Sequence, residues 1–112
     1  MIKKGEIWIL KFPSKSGKEQ KGMRPAIILA DTTTEIALSI PLTSNLHALK
    51  FPHTMEIKRS EKNNLEKDSI ALIFHLQAID KKRFVNKIGD LEEENIKKIN
   101  EFLGILFQLK IS

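Results

Sequence analysis

Between Glu6 and Ile88 the apolar residues come in runs of five to eight, each closed by Pro, Gly, Asn, Asp, Ser or a charged stretch. Only after Asp90 does their spacing become helical. Runs that short suit strands, because a helix needs several turns to bury a face. Glu6 to Phe12 (EIWILKF) reads as a strand buried on much of both faces and stopped by Pro13. Ser14 to Met23 has no apolar period and reads as a mobile loop. Pro25 to Ala30 and Glu35 to Leu42 read as two further strands around a turn at Asp31 to Thr34. Pro41 lacks an amide hydrogen, so the ladder there is expected to be broken or to lie at an edge. Thr54 to Lys58 alternates as a strand with one wet face does, and Arg59 to Asp68 is hydrophilic throughout. Ser69 to Leu76 (SIALIFHL) is nearly continuously apolar and is expected to be the most buried strand. Ile79 to Arg83 reads as a single helical turn, and Phe84 to Ile88 as a last short strand ending at Gly89.

The final segment differs in kind. Asp90 is the expected N-cap, with Glu93 three residues on, and Glu92, Glu93 and Glu94 sit where the helix dipole favours negative charge. Ile96, Ile99, Leu103 and Leu106 then recur at helical spacing, with Phe102 and Leu109 widening the stripe. Phe102 to Leu109 is apolar nearly all round and needs cover on more than one side, from the core or from a partner subunit. A chain of 112 residues holds one modest core, so a single domain over residues 1–112 is expected. Short strands followed by one helix predict a mainly β (α+β) fold. The sheet would twist and curl into a small barrel, with the helix over one opening.

Cysteine is absent, which removes disulfides, thiolate metal sites and a cysteine nucleophile. Met1-Ile2-Lys3-Lys4 lacks the apolar core of a signal peptide and no run is long enough to cross a bilayer, so a cytoplasmic protein without a membrane partner is expected. The net charge is +5 and uneven: ten Lys/Arg against five Asp/Glu up to Ser60, then nine against nine. A basic half suits a polyanion such as RNA or an acidic protein segment. Ordinary solubility accounts for the same numbers.

No Gly-rich phosphate loop, His/Cys ligand spacing or nucleophile elbow is present, and His47, His53 and His75 are scattered. Neither a cofactor nor a metal is expected. The chain does carry an ordered succession of short motifs: Gly5-Glu6-Ile7-Trp8, Glu19-Gln20-Lys21-Gly22-Met23-Arg24-Pro25, Ile40-Pro41-Leu42-Thr43-Ser44-Asn45, Asp68-Ser69, Ile79-Asp80-Lys81-Lys82-Arg83 and Lys87-Ile88-Gly89-Asp90-Leu91. In order and approximate spacing this resembles the MazF/PemK toxins of type II toxin–antitoxin systems, over almost the whole chain. The resemblance implies a compact SH3-like, plasmid-maintenance-toxin barrel of short, mostly antiparallel strands. It also implies a homodimer that cuts single-stranded RNA without metal at specific sequences and is silenced by a cognate antitoxin.

Cutting RNA without metal requires the 2'-hydroxyl to lose a proton and attack phosphorus, the charge that builds there to be neutralised, and the 5'-oxygen to leave with a proton. Arg24, held by Pro25, offers a guanidinium fork for phosphate oxygens, and Thr43 offers a hydroxyl at a strand end. The resemblance makes these two the catalytic pair. Glu19 is the candidate base in the loop. Ser44 and Asn45 are lesser candidates for the same pocket. Lys15, Lys18, Gln20 and Lys21 form a polar and electrostatic wall for RNA, and Phe51, between Lys50 and Pro52, is the candidate base-stacking ring. Where many relatives carry an acid followed by Gln and then, one residue on, Arg-Thr, this chain reads Phe74-His75-Leu76-Gln77-Ala78. His75 is therefore a further candidate for proton transfer.

Blander readings stand beside these. An arginine before a proline is often a surface ion pair, Thr43-Ser44-Asn45 is an ordinary strand-end turn, and a glutamate in a lysine-rich loop is usually solvated. Alternative functions are a barrel that binds RNA or a protein target without cutting, either a gyrase-type toxin or an inactive homologue.

Overall fold

The computed structural model of the chain describes residues 2–12 and 22–110. Among these residues seven strands form one sheet: β1 (Glu6–Lys11), β2 (Met23–Asp31), β3 (Ile36–Thr43), β4 (Thr54–Ile57), β5 (Ser69–Leu72), β6 (Gln77–Asp80) and β7 (Phe84–Asp90). The helix α1 (Glu93–Leu106) follows. The strands run in the order β4-β5-β3-β2-β1-β7, with β6 also on β3, and every pairing is antiparallel. Irregularities in the β1–β7 and β2–β3 ladders give the sheet its bends. The end strands β4 and β7 do not pair with each other, so the curled sheet stays open.

Both faces of β1 are covered, as its apolar run requires. Ile7 joins Ile27, Ile40, Leu42, Ile57, Ile73 and Leu91 in the main core, while Leu10 packs with Ala26 and Ile79 in a smaller one. Trp8, Phe12 and Phe84 close that second cluster, the Trp8 and Phe84 rings lying 5.3 Å apart. The helix presents Ile96, Ile99, Phe102, Leu103 and Leu106 to the main core. Ile99 is fully buried and contributes about 1.5–3 kcal/mol by leaving water, and the half-buried others add smaller shares that together hold α1 against the sheet. Gly5 has φ +92° and passes so near α1 that a Cβ there would lie 2.7 Å from Ile96 Cδ1. A side chain at that turn is strained by its backbone conformation, and the end of the Ile96 side chain would have to move to admit it.

The structure corrects three expectations. First, Ser69 to Leu76 is not one buried strand. β5 stops at Leu72, Ile73–His75 forms a 3₁₀ turn, and the chain resumes as β6. Leu42 faces Ala71 and Ser39 faces Gln77, so three steps along β3 correspond to six along the other chain. The corner absorbs the extra residues and turns Phe74 and His75 outward to the surface. Pro41 lies in the stretch of β3 between its β5 and β6 ladders, so the expected break occurs on that side alone, while on the other Pro41 stays in register opposite Ala26 of β2. Second, Ile79 and Asp80 belong to β6, because Ile79 is buried and pairs with Ala37. Only Lys81–Arg83 makes a 3₁₀ turn, capped by the Asp80 carboxylate on the Lys82 N–H at 2.9 Å.

Third, the helix begins later than expected. Asp90 ends β7, and Leu91, buried in the core with its N–H on Gly5 O at 2.7 Å, must be passed before Glu92 caps α1. The helix ends at Leu106, leaving Phe107 and Leu109 exposed beyond it. The Glu92 carboxylate bridges the first turn of α1, where Asn95 donates to it at 3.5 Å, and the loop between β4 and β5. There it accepts from the Ser60 hydroxyl and from the Asn63 amide at 3.3 Å. Burial by itself raises the pKa of Glu92, but the hydrogen bonds from Ser60, its own backbone, Asn63 and Asn95 outweigh it and the net shift is downward. A lowered carboxylate pKa means stability that is complete above the ordinary value of 4.5 and is lost as pH falls through the folded-state value. Chemical denaturation measured from neutral to acid pH is expected to show this loss in the parent, and a shallower one in Glu92→Gln. Equal slopes would refute the linkage.

Candidate active site

At the end of the sheet where β2 begins and β3 ends lies an open cleft of about 810 Å³. Its apolar members are Ile9, Met23, Pro25, Leu42, Leu65 and Ile88, and its polar members are Arg24, Thr43, Ser44, Asn64, Glu66, Lys67 and Ser69. Pairing explains the meeting. Arg24 lies opposite Leu10 on β1, and Thr43, at the end of β3, lies opposite Ile70 on β5. Arg24 is thus a strand residue: β2 begins at Met23, within the stretch read as loop. It is exposed, and among the described residues it has neither a hydrogen bond nor an ion pair. The ion-pair reading of this arginine therefore finds no partner there.

Thr43 is half-buried, and its Oγ1 accepts from the Asn45 N–H at 3.1 Å. That bond fixes the oxygen and leaves the hydroxyl hydrogen to donate elsewhere. Asn45 itself does not line the cleft, and its Oδ1 accepts from the His47 N–H at 3.1 Å to cap a 3₁₀ turn over Leu46–Lys50. The strand-end turn thus holds for both Thr43 and Asn45, since each side chain accepts from a backbone N–H two residues on, and of the triplet Thr43 and Ser44 also line the cleft.

The far wall of the cleft comes from the loop between β4 and β5, whose residues Arg59 to Asp68 show in sequence only their hydrophilic character. Asn63 is its buried hub. Its Oδ1 accepts from the Ser60 and Leu65 N–H groups, each at 3.0 Å, and its Nδ2 donates to Lys58 O at 2.9 Å and to Glu92. The Arg59 N–H donates to Asp68 at 2.8 Å, and the Arg59 Nε–H to Leu65 O at 3.3 Å. Gly89 on β7 admits this loop: a Cβ there would come within 2.4 Å of Asn63 O. Asn64, Glu66 and Lys67 are presented from this braced loop. The density of Ser, Asn and Asp between Arg59 and Ser69 was the available signal, and such residues bond local backbone in ordered turns.

Phe51 and His75 lie elsewhere. In the β4–β5 ladder Ile57 faces Ser69 at the cleft end, whereas Thr54 faces Leu72 at the other, and Phe51, Phe74 and His75 gather beyond that second end. The Phe51 and Phe74 rings are 6.0 Å apart and Phe74 stacks on His75 at 6.1 Å. Lys50 Nζ stands 5.8 Å above Phe51. His75 is therefore not assembled with Arg24 and Thr43. Lys15, Lys18, Glu19, Gln20 and Lys21 lie outside the described residues. No described helix is long and apolar enough to cross a membrane.

A family model described as the PemK-like, MazF-like toxin of type II toxin-antitoxin systems matches residues 3–107. Over 109 residues the chain is 28% identical to Endoribonuclease MazF of Staphylococcus saprophyticus, covering 94% of this chain and 90% of that one. The crystal structure of MazF from Deinococcus radiodurans matches with a TM-score of 0.74 at 22% identity, over 95% of this chain and 96% of that one. An endoribonuclease in complex with its cognate antitoxin, from a mycobacterial species, matches with a TM-score of 0.68 at 14% identity, over 97% and 95%. Such structural likenesses speak for the fold.

Proposed function

The chain belongs to the PemK-like, MazF-like toxin family of type II toxin–antitoxin systems, and from that premise we propose that it is an endoribonuclease cutting single-stranded RNA by attack of the 2'-hydroxyl. The observation that carries this reading is the meeting of Arg24 and Thr43 in one cleft. The Arg24 fork neutralises the phosphate oxygens as negative charge builds on phosphorus. Thr43, its oxygen held by the Asn45 N–H, donates its hydroxyl hydrogen to a phosphate oxygen. Attack by the 2'-oxygen and departure of the 5'-oxygen leave a 2',3'-cyclic phosphate and a 5'-hydroxyl end. The 2'-hydroxyl gives up a proton and the 5'-oxygen gains one, transfers that Arg24 and Thr43 leave to other groups.

Lys15, Lys18, Gln20 and Lys21 bring charge and hydrogen-bonding groups for an RNA strand, and the exposed rings of Phe51, Phe74 and His75, the last two parallel and Phe51 tilted against them, offer faces for bases. Named antitoxin complexes among the structural relatives support a cognate antitoxin as partner. An acidic, partly disordered antitoxin segment that covers Arg24 would silence the site. Exposed Ile105, Phe107 and Leu109 at the end of α1 support a homodimer, in keeping with the cover this segment requires.

The test is incubation with long single-stranded RNA in EDTA. Cleavage giving cyclic phosphate ends is expected from the parent, with Thr43→Ala slower by about 10–100-fold, the worth of one hydrogen bond to a charged group. RNA left intact across buffers and sequences by folded protein would overturn the reading in favour of a binding barrel.

A further inference from the structure

The acid and base of the reaction are the part that the motifs leave open, because Phe74 and Gln77 replace groups that relatives carry there and His75 lies away from the cleft. Building on the RNA-cleaving function proposed above, we propose that Glu66 takes the proton from the attacking 2'-hydroxyl and that Lys67 gives one to the departing 5'-oxygen.

Three observations converge. Glu66 is the one carboxylate residue among the described residues lining the cleft, which it shares with Arg24 and Thr43. The neighbouring acids are occupied: Asp68 accepts from the Arg59 N–H and approaches Lys58, Glu92 is held by Ser60 and Asn63, and Glu6 takes the Trp8 indole N–H and Lys87. Glu66 has no hydrogen-bond or ion-pair partner among the described residues, nor has Lys67 through its ammonium, so both heads remain for substrate. Finally, their backbone is braced. Leu65, just before Glu66, is 3% exposed, donates its N–H to Asn63 Oδ1 and accepts from Arg59 Nε on its carbonyl, while the Ser69 hydroxyl donates to Lys67 O at 3.0 Å. A side chain on braced backbone meets its substrate with little ordering cost.

A carboxylate beside a phosphate repels it unless cations intervene, and Arg24 and Lys67 supply them in the same cleft. In the step itself the 2'-O–H proton passes to the Glu66 carboxylate as the 2'-oxygen bonds phosphorus. The bond from phosphorus to the 5'-oxygen breaks, and that oxygen takes a proton from the Lys67 ammonium. Exchange with solvent restores both groups, and nothing is oxidised or reduced.

The experiment uses the full chain and two versions of one oligonucleotide. Its single ribose lies at a cleavage site mapped on long RNA, and the scissile 5'-bridging atom is either oxygen or sulfur. Sulfur leaves without needing a proton. Glu66→Gln is expected to be slower than the parent by about 10²–10⁴-fold on both versions, the range for a lost general base. Glu66→Ala is expected to recover part of its rate in formate. Lys67→Ala is expected to be slow on the oxygen version and to approach the parent on the sulfur version. Thermal melts of the variants matching the parent confirm that they fold. Glu66→Gln cutting at the parental rate, above all if Glu19→Gln does not, would overturn the assignment of the base. Lys67→Ala equally slow on both versions would overturn that of the acid. Intact RNA with the parent itself would instead overturn the nuclease reading.

Discussion

Arg24→Ala is expected to lower the rate of RNA cleavage by about 10²–10³-fold, the typical cost of losing a donor aimed at charge that develops in the transition state. The loss should fall mainly on kcat, since the fork's two parallel N–H groups match a phosphorane-like centre better than the ground-state diester. Arg24→Lys keeps the charge but not the fork, and an intermediate rate is expected. Stability should hardly change, because the side chain is exposed and has no partner among the described residues. Single-turnover rates beside thermal melts separate the two effects. A variant that cuts at the parental rate would remove Arg24 from the chemistry and with it the main support for a nuclease.

The largest effect on stability is expected at a residue that touches no substrate. Asn63 is fully buried and its amide serves the Ser60 and Leu65 N–H groups, Lys58 O and Glu92 at once. Asn63→Ala removes the side-chain partner of the Ser60 and Leu65 N–H groups and of Lys58 O, while Glu92 keeps the Ser60 hydroxyl and Asn95, and each unsatisfied buried group costs about 1–3 kcal/mol. After partial rehydration a net loss of roughly 3–4 kcal/mol remains, a large share of the stability of a domain this size. The melting temperature should drop by roughly 10–20 °C. Asn64→Ala, next door at an exposed position, is expected to change it far less. Because the same loop carries Glu66 and Lys67, Asn63→Ala should also cut poorly at temperatures where it remains folded. A melting temperature within a degree or two of the parent would show that the hub does not brace the cleft.

The alternation of Thr54 to Lys58 and the helical stripe from Ile96 to Leu106 were legible because each follows a local period that only one kind of element satisfies. Pro41 announced a broken ladder for an equally local reason, the missing N–H. Ser69 to Leu76 misled because an apolar run does not say where a strand must turn to keep its register with a partner far along the chain. Asp90 looked like a cap because capping is judged from neighbours in sequence, yet burial of Leu91 against Gly5 decided where the helix starts.

Arg24 and Thr43 could be singled out from the motifs around them, since a strand entrance and a strand end are marked by Pro25 and by the polar triplet after Leu42. The wall opposite them could not. Asn64, Glu66 and Lys67 enter the cleft because Asn63, Glu92 and Gly89 hold a polar loop against the sheet through bonds that span some thirty positions of the chain. The sequence by itself determined most of the element types and the basic half, consequences of residue type and short-range spacing, and the family resemblance of its motifs singled out Arg24 and Thr43 as the candidate pair. Which groups share a cleft with that pair was decided by strand register and by a buried amide, and these exist only once the chain has closed on itself.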